Sequence, residues 1–273
     1  MSVVKHNCCI CGVDDTRLVF QKDGFNIVKC KICGLIYVNP RLNESEQLDV
    51  YVDNYFIKNK DVGKFKRKTA EIDLNRLKKL GVKRGKVLDV GYGEGYFLEV
   101  SQKIGWEVYG VEIVKFDTNV AHFPDKYFDL ITLFDVIEHF QNPLLELKEI
   151  NRILKDDGFV YIHTPNIGGL FAKLMGKRWF QIKPEEHIFY FNKKTIKTIL
   201  KKSGFEVLVY NAYGKVLTIE YVQQVLALTN TILPKVIKWL FSRLPFYRKL
   251  FYMKTGHLNV LSKKRLECKT KEN

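Results

Sequence analysis

Two stretches of the chain hold residue types at spacings that can do chemistry. In "VLDVGYGEGYFLEV", Val87 to Val100, an apolar run with one acid, Asp89, meets Gly91, Gly93 and Gly95 and then a helical pattern. Glycines at that spacing let the backbone pass close to a ligand, and the following helix presents free N–H groups. Asp89 stands just before the turn, where it can fix the loop or meet a cationic ligand. Glu112 ends the next strand pattern, "EVYGVEI", where a carboxylate can accept both hydroxyls of a ribose. A dinucleotide fingerprint, G-x-G-x-x-G, cradles a pyrophosphate on the helix N-terminus. Here the third glycine comes one residue early, which favours a ligand with no phosphate at the turn.

The other stretch is a matched pair, "CCICG" (Cys8 to Gly12) and "CKICG" (Cys30 to Gly34). In each, two cysteines stand three apart and a glycine follows, so a tight turn can aim both thiolates at one ion. Cys8, Cys11, Cys30 and Cys33 therefore read as a closed four-thiolate zinc site, which has no open position for chemistry and is structural. Five of the six cysteines fall in the first 33 residues, a pattern for a local metal site and not for a disulfide framework. Cys9 is a spare inside the first pair, and Cys268 is a lone thiol with no role.

The elements that must position these residues alternate between strand and helix patterns from Lys86 onward. "KVLDV", "EVYGVEI", "YFDLITLFDV" and "FVYIHTP" read as strands, the third almost wholly apolar. "GYFLEVSQKI" and "NPLLELKEINRIL" read as helices, the second ended by "KDDG". "KKTIKTILKKSG" and "FEVLVYNA" add a helix–strand pair, and "HLNVLSKK" a last strand. The fold class is α/β, a Rossmann-like, doubly wound, mostly parallel sheet with an N-terminal zinc ribbon and a helical C-terminal cap. The divisions are residues 1–40 (ribbon), 41–80 (helical linker), 81–212 (core), 213–256 (helical cap) and 257–273 (last strand and charged tail).

Composition agrees with a globular protein: 46% of residues are hydrophobic and 27% charged in 273 residues. No early basic, apolar and small-residue succession marks an export signal, so the expected location is the cytoplasm. The formal charge of +15 suits an anionic partner, but lysines are spread along the chain with no long basic block. In residues 231–253, "LPKVIKWLFSRLPFYRKLFYM" interleaves basic and large apolar residues. It reads either as a helix packed on the sheet or as a peripheral membrane contact.

Taken in order, "VLDVGYGEG", the acidic "GVE", "FPDKYFDLITLFDVIEH", "ILKDDGFVYIHTPN" and "GFEV" resemble the successive motifs of class I S-adenosylmethionine-dependent methyltransferases. The cysteine-rich start and "GKRWFQIKPEEHIFYFNKKTI" resemble a bacterial and archaeal subgroup that methylates sugars, glycans or small molecules. The resemblance implies that Asp89, Gly91, Gly93 and Gly95 hold the methionine end of the cofactor and that Glu112 takes the ribose. It further implies that Asp117 contacts the adenine and that Phe134 and Asp135 close the pocket. One departure stands out. Only residues 113–116 separate Glu112 from Asp117, whereas a parallel crossover needs a dozen or more residues. The sheet is therefore shortened between its second and third strands, which opens the adenine side.

Methyl transfer from a sulfonium is an in-line displacement, so the protein positions the nucleophile and takes its proton where needed. Histidine suits that task. His139, in "DVIEHF", sits past a strand's carboxyl end, and His187, in "KPEEHIFYF", has Glu186 beside it to orient or charge it. His163 reads as structural, inside a strand. Trp179, Phe180, Phe189 and Tyr190 flank His187 as an apolar acceptor pocket or as core. The expected activity is methyl transfer to a sugar, glycan precursor or other small hydroxylated acceptor. RNA methylation and a non-catalytic scaffold on the same fold are the alternatives.

Overall fold

The computed structural model describes residues 3–43, 45–46, 62–112, 122–227, 235–236, 239–240, 242, 244, 247 and 249–265. The N-terminal unit contains β1 (Val3–Val4), β2 (Thr16–Lys22), β3 (Phe25–Cys30), β4 (Ile36–Val38) and β5 (Arg41–Leu42). Asp23 and Gly24 join β2 to β3 with φ of 51° and 81°, the double left-handed conformation of a tight hairpin turn. β2, β3 and β4 pair antiparallel in chain order, and β1 pairs with β5.

After α1 (Val62–Lys79) the chain runs through β6 (Lys86–Val90), α2 (Tyr96–Lys103), β7 (Glu107–Val111), β8 (Phe128–Phe134), α3 (Pro143–Ile153) and β9 (Leu154–Pro165). α3 starts with Pro143 in its first turn, and its N-cap Asn142 accepts from the Leu145 N–H. Next come α4 (Leu170–Met175), β10 (Phe189–Tyr190), α5 (Lys193–Lys202) and β11 (Phe205–Asn211). β12 (Gly214–Leu217), α6 (Ile219–Ala227), β13 (Phe251–Lys254) and β14 (His257–Lys264) complete the described elements.

Six strands form the central sheet in the order β11-β14-β9-β8-β6-β7, with β6, β7, β8 and β9 parallel and β14 antiparallel to both neighbours. Phe128, Leu130, Ile131 and Leu133 of β8 are fully buried, because a parallel strand is covered on both faces. At one edge of the sheet, among the described residues, only β6 pairs with β7. Residues 113–121, including Asp117, lie outside the described residues.

Three details differ from the sequence reading. "KDDG" does not end α3 as a turn. The helix stops at Ile153, and those residues form a bulge within β9, between the pairings Phe128↔Leu154 and Leu130↔Phe159. The cap contains α6 but is closed at its base by the antiparallel ribbon β12-β13, which a short alternating pattern such as "GKVL" did not announce. And β10 leaves the core to pair with β4 as a fourth strand of the N-terminal sheet. The ribbon is thereby stitched to the core: Cys8, Ile10, Cys30, Leu35 and Tyr37 share one apolar cluster with β8, α3 and α5. No helix among the described residues is long and apolar enough to cross a membrane. About half of the segment 231–253 lies outside the described residues.

Candidate active site

The candidate residues gather at the carboxyl ends of the parallel strands. At the end of β6, Gly91, Gly93 and Gly95 have φ of 70°, 54° and 73°, the left-handed region where a side chain costs energy and glycine does not. Gly91 donates its N–H to the Val111 carbonyl, which ties the turn to the end of β7 beside Glu112. Asp89 is 3% exposed and accepts a 2.6 Å hydrogen bond from the Thr132 hydroxyl. Burial raises its carboxyl to about 7; the Thr132 bond works against that and the Glu112 charge adds to it. No cation among the described residues pairs with Asp89, so its charged form awaits a positive ligand. A turn with three left-handed glycines, flanked by Asp89 and Glu112, fits a cationic nucleoside ligand such as S-adenosylmethionine.

Beyond Phe134, whose ring lies 4.8 Å from Phe97, Asp135 adopts φ 57°, a left-handed conformation uncommon for a residue with a Cβ. Its N–H donates to the His163 carbonyl. Its Oδ1 meets His163 Nδ1 at 2.9 Å and His257 Nε2 at 3.5 Å, and its Oδ2 meets Lys215 Nζ at 2.6 Å. The rings of His163 and His257 stack 4.4 Å apart. Burial opposes the charge, but Lys215 and His163 outweigh it and hold the Asp135 carboxyl well below the usual range.

A second polar cluster follows directly. Glu138, 1% exposed, accepts from the Thr164 hydroxyl at 2.9 Å through Oε2. Burial and the nearby Asp135 raise its carboxyl to about 8. His139 Nδ1 donates to the Glu186 carbonyl and His187 Nδ1 to the Gln181 carbonyl, both at 2.9 Å. Their rings lie 4.8 Å apart, edge to face. Burial lowers the pKa of both imidazoles, that of His187 furthest, so both are neutral. Gln181 bridges the clusters, since its side-chain nitrogen lies 3.4 Å from His257 Nε2.

In the ribbon, Cys8 and Cys33 bring their sulfurs within 3.4 Å, Cys11 and Cys30 within 3.4 Å, and Cys11 and Cys33 within 3.9 Å. A tetrahedral zinc with bonds of about 2.3 Å would set sulfurs about 3.8 Å apart, so the four thiols fit that ion. Burial pushes the Cys8 thiol up. At Cys30 burial acts the same way, but the N–H groups of Cys33 and Ile32 prevail and lower it to about 7. Cys9 points elsewhere in the same core, where burial pushes it up to about 12.

The structure thus brings Asp89, Gly91, Gly93, Gly95, Glu112, Phe134 and Asp135 to one end of the sheet and gathers His139 and His187 beside them. Glu186 departs from its expected part: its carboxylate pairs with Lys183 at 3.2 Å, and only its backbone carbonyl reaches a histidine, His139. Trp179, Phe189 and Tyr190 are core, at most 2% exposed, and do not line an acceptor pocket. His163 is in a strand as expected, yet its ring faces Asp135. Sequence reasoning missed Glu138, Lys215 and His257. The acid beside His139 was a readable signal for the first, whereas Lys215 and His257 come from distant elements and gave none.

A family profile described as a methyltransferase domain matches residues 64–209, over half the chain. Among solved structures, the PH0226 protein from Pyrococcus horikoshii OT3 is 19% identical with a TM-score of 0.51, over 80% of this chain and 99% of that one. A methyltransferase in complex with the Haloferax volcanii Trm112 methyltransferase activator is 15% identical with a TM-score of 0.51, over 81% and 99%. A SAM-dependent methyltransferase from Archaeoglobus fulgidus is 21% identical with a TM-score of 0.47, over 73% and 98%. The first two likenesses show the shared fold. With the glycine turn, the buried acid before it and the strand order all in place, the chain belongs to the methyltransferase domain family, the class I S-adenosylmethionine-dependent enzymes.

Proposed function

We propose that the chain methylates a hydroxyl of a small acceptor, a sugar or a related polyol, at the carboxyl ends of β6, β8 and β9. The observation that carries this reading is Asp89, a buried carboxyl without a cationic partner among the described residues, set before three left-handed glycines. When bound, S-adenosylmethionine supplies the electrophilic methyl group. Asp89 and the turn from Gly91 to Gly95 would hold its methionine end, Glu112 its ribose and Asp117 its adenine. Phe134 and Asp135 close the pocket on the other side.

His139 and His187 are assigned to the acceptor. Each has its Nδ1 proton held by a carbonyl, which fixes the neutral tautomer and leaves the ring lone pair on Nε2, and Glu186 orients His139 through its backbone. Such groups can hold a hydroxyl and accept its proton. The ribbon is proposed to carry zinc in a purely structural part, since four sulfurs fill a tetrahedral ion.

The deciding experiment is a calorimetric titration of the zinc-loaded protein with S-adenosylmethionine beside Gly93→Arg. Saturable binding that Gly93→Arg abolishes supports the reading, and acceptor screening follows. No binding at millimolar cofactor overturns it and leaves a scaffold on a methyltransferase fold.

A further inference from the structure

We infer that Glu138, His139 and His187 form a second metal site, built for a first-row divalent cation and separate from the four-cysteine ribbon. One carboxylate oxygen and one nitrogen from each imidazole all lie within 4.8 Å of one another, and all three residues are buried. Ligands about 2.0–2.2 Å from one ion lie at most about 4.4 Å apart, so binding would draw the three donors together around it.

The chemistry of each donor is fixed by its neighbours. A carbonyl can only accept, so the 2.9 Å contacts from His139 Nδ1 to Glu186 and from His187 Nδ1 to Gln181 put the protons on Nδ1. The lone pairs then sit on Nε2. A metal-bound imidazole is held in just this way, its second nitrogen donating to a carbonyl or carboxylate. Glu138 supplies the independent sign of a ligand. Its Oε2 is satisfied by Thr164, but its Oε1, inside a side chain 1% exposed, has no hydrogen-bond partner among the described residues. An orphaned buried carboxylate oxygen costs stability unless something positive meets it.

The backbone also builds the site. The N–H groups of Ile188 and Phe189 both donate to the Glu138 carbonyl, at 2.9 and 3.2 Å, so the segment carrying His187 is clamped to the residue it must join. The neighbouring trio, Asp135, His163 and His257, makes an instructive contrast. There Lys215 Nζ lies 2.6 Å from the carboxylate and already provides the positive charge. No such lysine contact is present on Glu138.

Two imidazoles and one carboxylate suit zinc, manganese, iron or cobalt in the divalent state and do not suit calcium, which prefers oxygen ligands alone. With an ion bound both Nε2 lone pairs belong to it, so the open coordination positions, in place of the imidazoles themselves, would take the acceptor hydroxyl through its oxygen. That last step alone rests on the proposed methyl transfer.

The test loads the full chain with about one equivalent of zinc, which the thiolates take first, and then titrates Co2+. The expected result is about one further Co2+ per chain, with absorption bands of a nitrogen–oxygen site and no sulfur charge-transfer band. Paramagnetic NMR of the wild-type complex should show a shifted, exchangeable N–H signal for each imidazole, a readout that needs no variant. Glu138→Gln and His187→Gln should weaken Co2+ by at least about tenfold while the ribbon keeps its zinc. Failure to take up the second ion, uptake without shifted imidazole signals, or unchanged uptake in both folded variants would each overturn the site. S-adenosylmethionine titrations on the same samples separate the two readings: cofactor binding without Co2+ uptake sinks only the metal site, and the reverse sinks only the cofactor assignment.

Discussion

Lys215, on the first strand of the cap, places its Nζ 2.6 Å from Asp135 Oδ2 at the end of β8, a contact across 80 residues of sequence. It ties the cap to the strand end where the proposed cofactor pocket would close. Lys215→Met should therefore loosen β12 and β13 more than the sheet. The half-buried charged hydrogen bond is worth about 1–2 kcal/mol, so amide exchange in 214–217 and 251–254 should quicken roughly 5- to 30-fold. The Asp135 carboxyl lies well below its ordinary value in the folded state, so its contribution is present above that ordinary value and is lost as pH falls through the folded one. Protection of the wild-type cap should thus persist at pH 5 and fail only in strong acid. Loss of protection near neutrality would show that Lys215 does not hold the cap.

Asp89 should make cofactor binding depend on pH. Its folded-state carboxyl titrates at about 7, so a cationic ligand meets a neutral group below that pH and a carboxylate above it. Affinity for S-adenosylmethionine should rise as pH goes from 6 to 8 and then level, with proton release on binding near pH 7. The free protein behaves oppositely. Between the ordinary carboxylate range and about 7 the folded state holds a proton that the unfolded state has lost, so stability falls as pH rises across that window. Asp89→Asn should flatten both profiles and weaken binding by about 1.5–3 kcal/mol, roughly 10- to 150-fold. Calorimetry in buffers of different ionisation enthalpy measures the proton directly.

The features that the sequence declared are those made within a few residues: the glycine turn, the paired cysteines, and the helices α3 and α5. The short spacing between Glu112 and Asp117 was also legible, since four residues are too few for a parallel crossover. Tertiary pairings were not. His257 reaches Asp135 because the antiparallel register sets it opposite Pro165, and no local pattern states that register. β10 is two residues long, too short to carry any periodicity, yet it joins the ribbon to the core. Glu186 was assigned by adjacency, but its carboxylate turns to Lys183 while its carbonyl does the orienting.

Zinc removal should damage the active site although the ribbon performs no chemistry. β4 pairs with β10, and His187 lies two residues before β10, held by the same backbone contacts. Chelation, or Cys30→Ser, should lower Tm by roughly 10 °C or more. It should also raise amide exchange at Ile188 and Phe189, beyond the ribbon itself. Exchange confined to residues 3–42 would show that the two sheets are energetically independent.

Two glycines should answer the same substitution differently. Gly95 has φ 73° and open space, its added Cβ meeting nothing nearer than Tyr92 at 3.8 Å. Gly95→Ala therefore costs backbone strain alone, about 1–2 kcal/mol, read as a shift in the denaturant midpoint at constant slope. Gly110 on β7 lacks that constraint, but a Cβ there would come within 2.8 Å of Leu98 and of the Tyr92 ring. Tyr92 stands between Gly91 and Gly93, so relieving the overlap drags the turn proposed to hold the cofactor. Gly110→Ala should cost about 1–3 kcal/mol of stability and raise the Kd for S-adenosylmethionine at least tenfold, though its own backbone touches no ligand. If Gly110→Ala is destabilised with an unchanged Kd, Tyr92 is free to swing outward without moving its neighbours, and the shape of the turn is set by the glycines and the Val111 carbonyl alone.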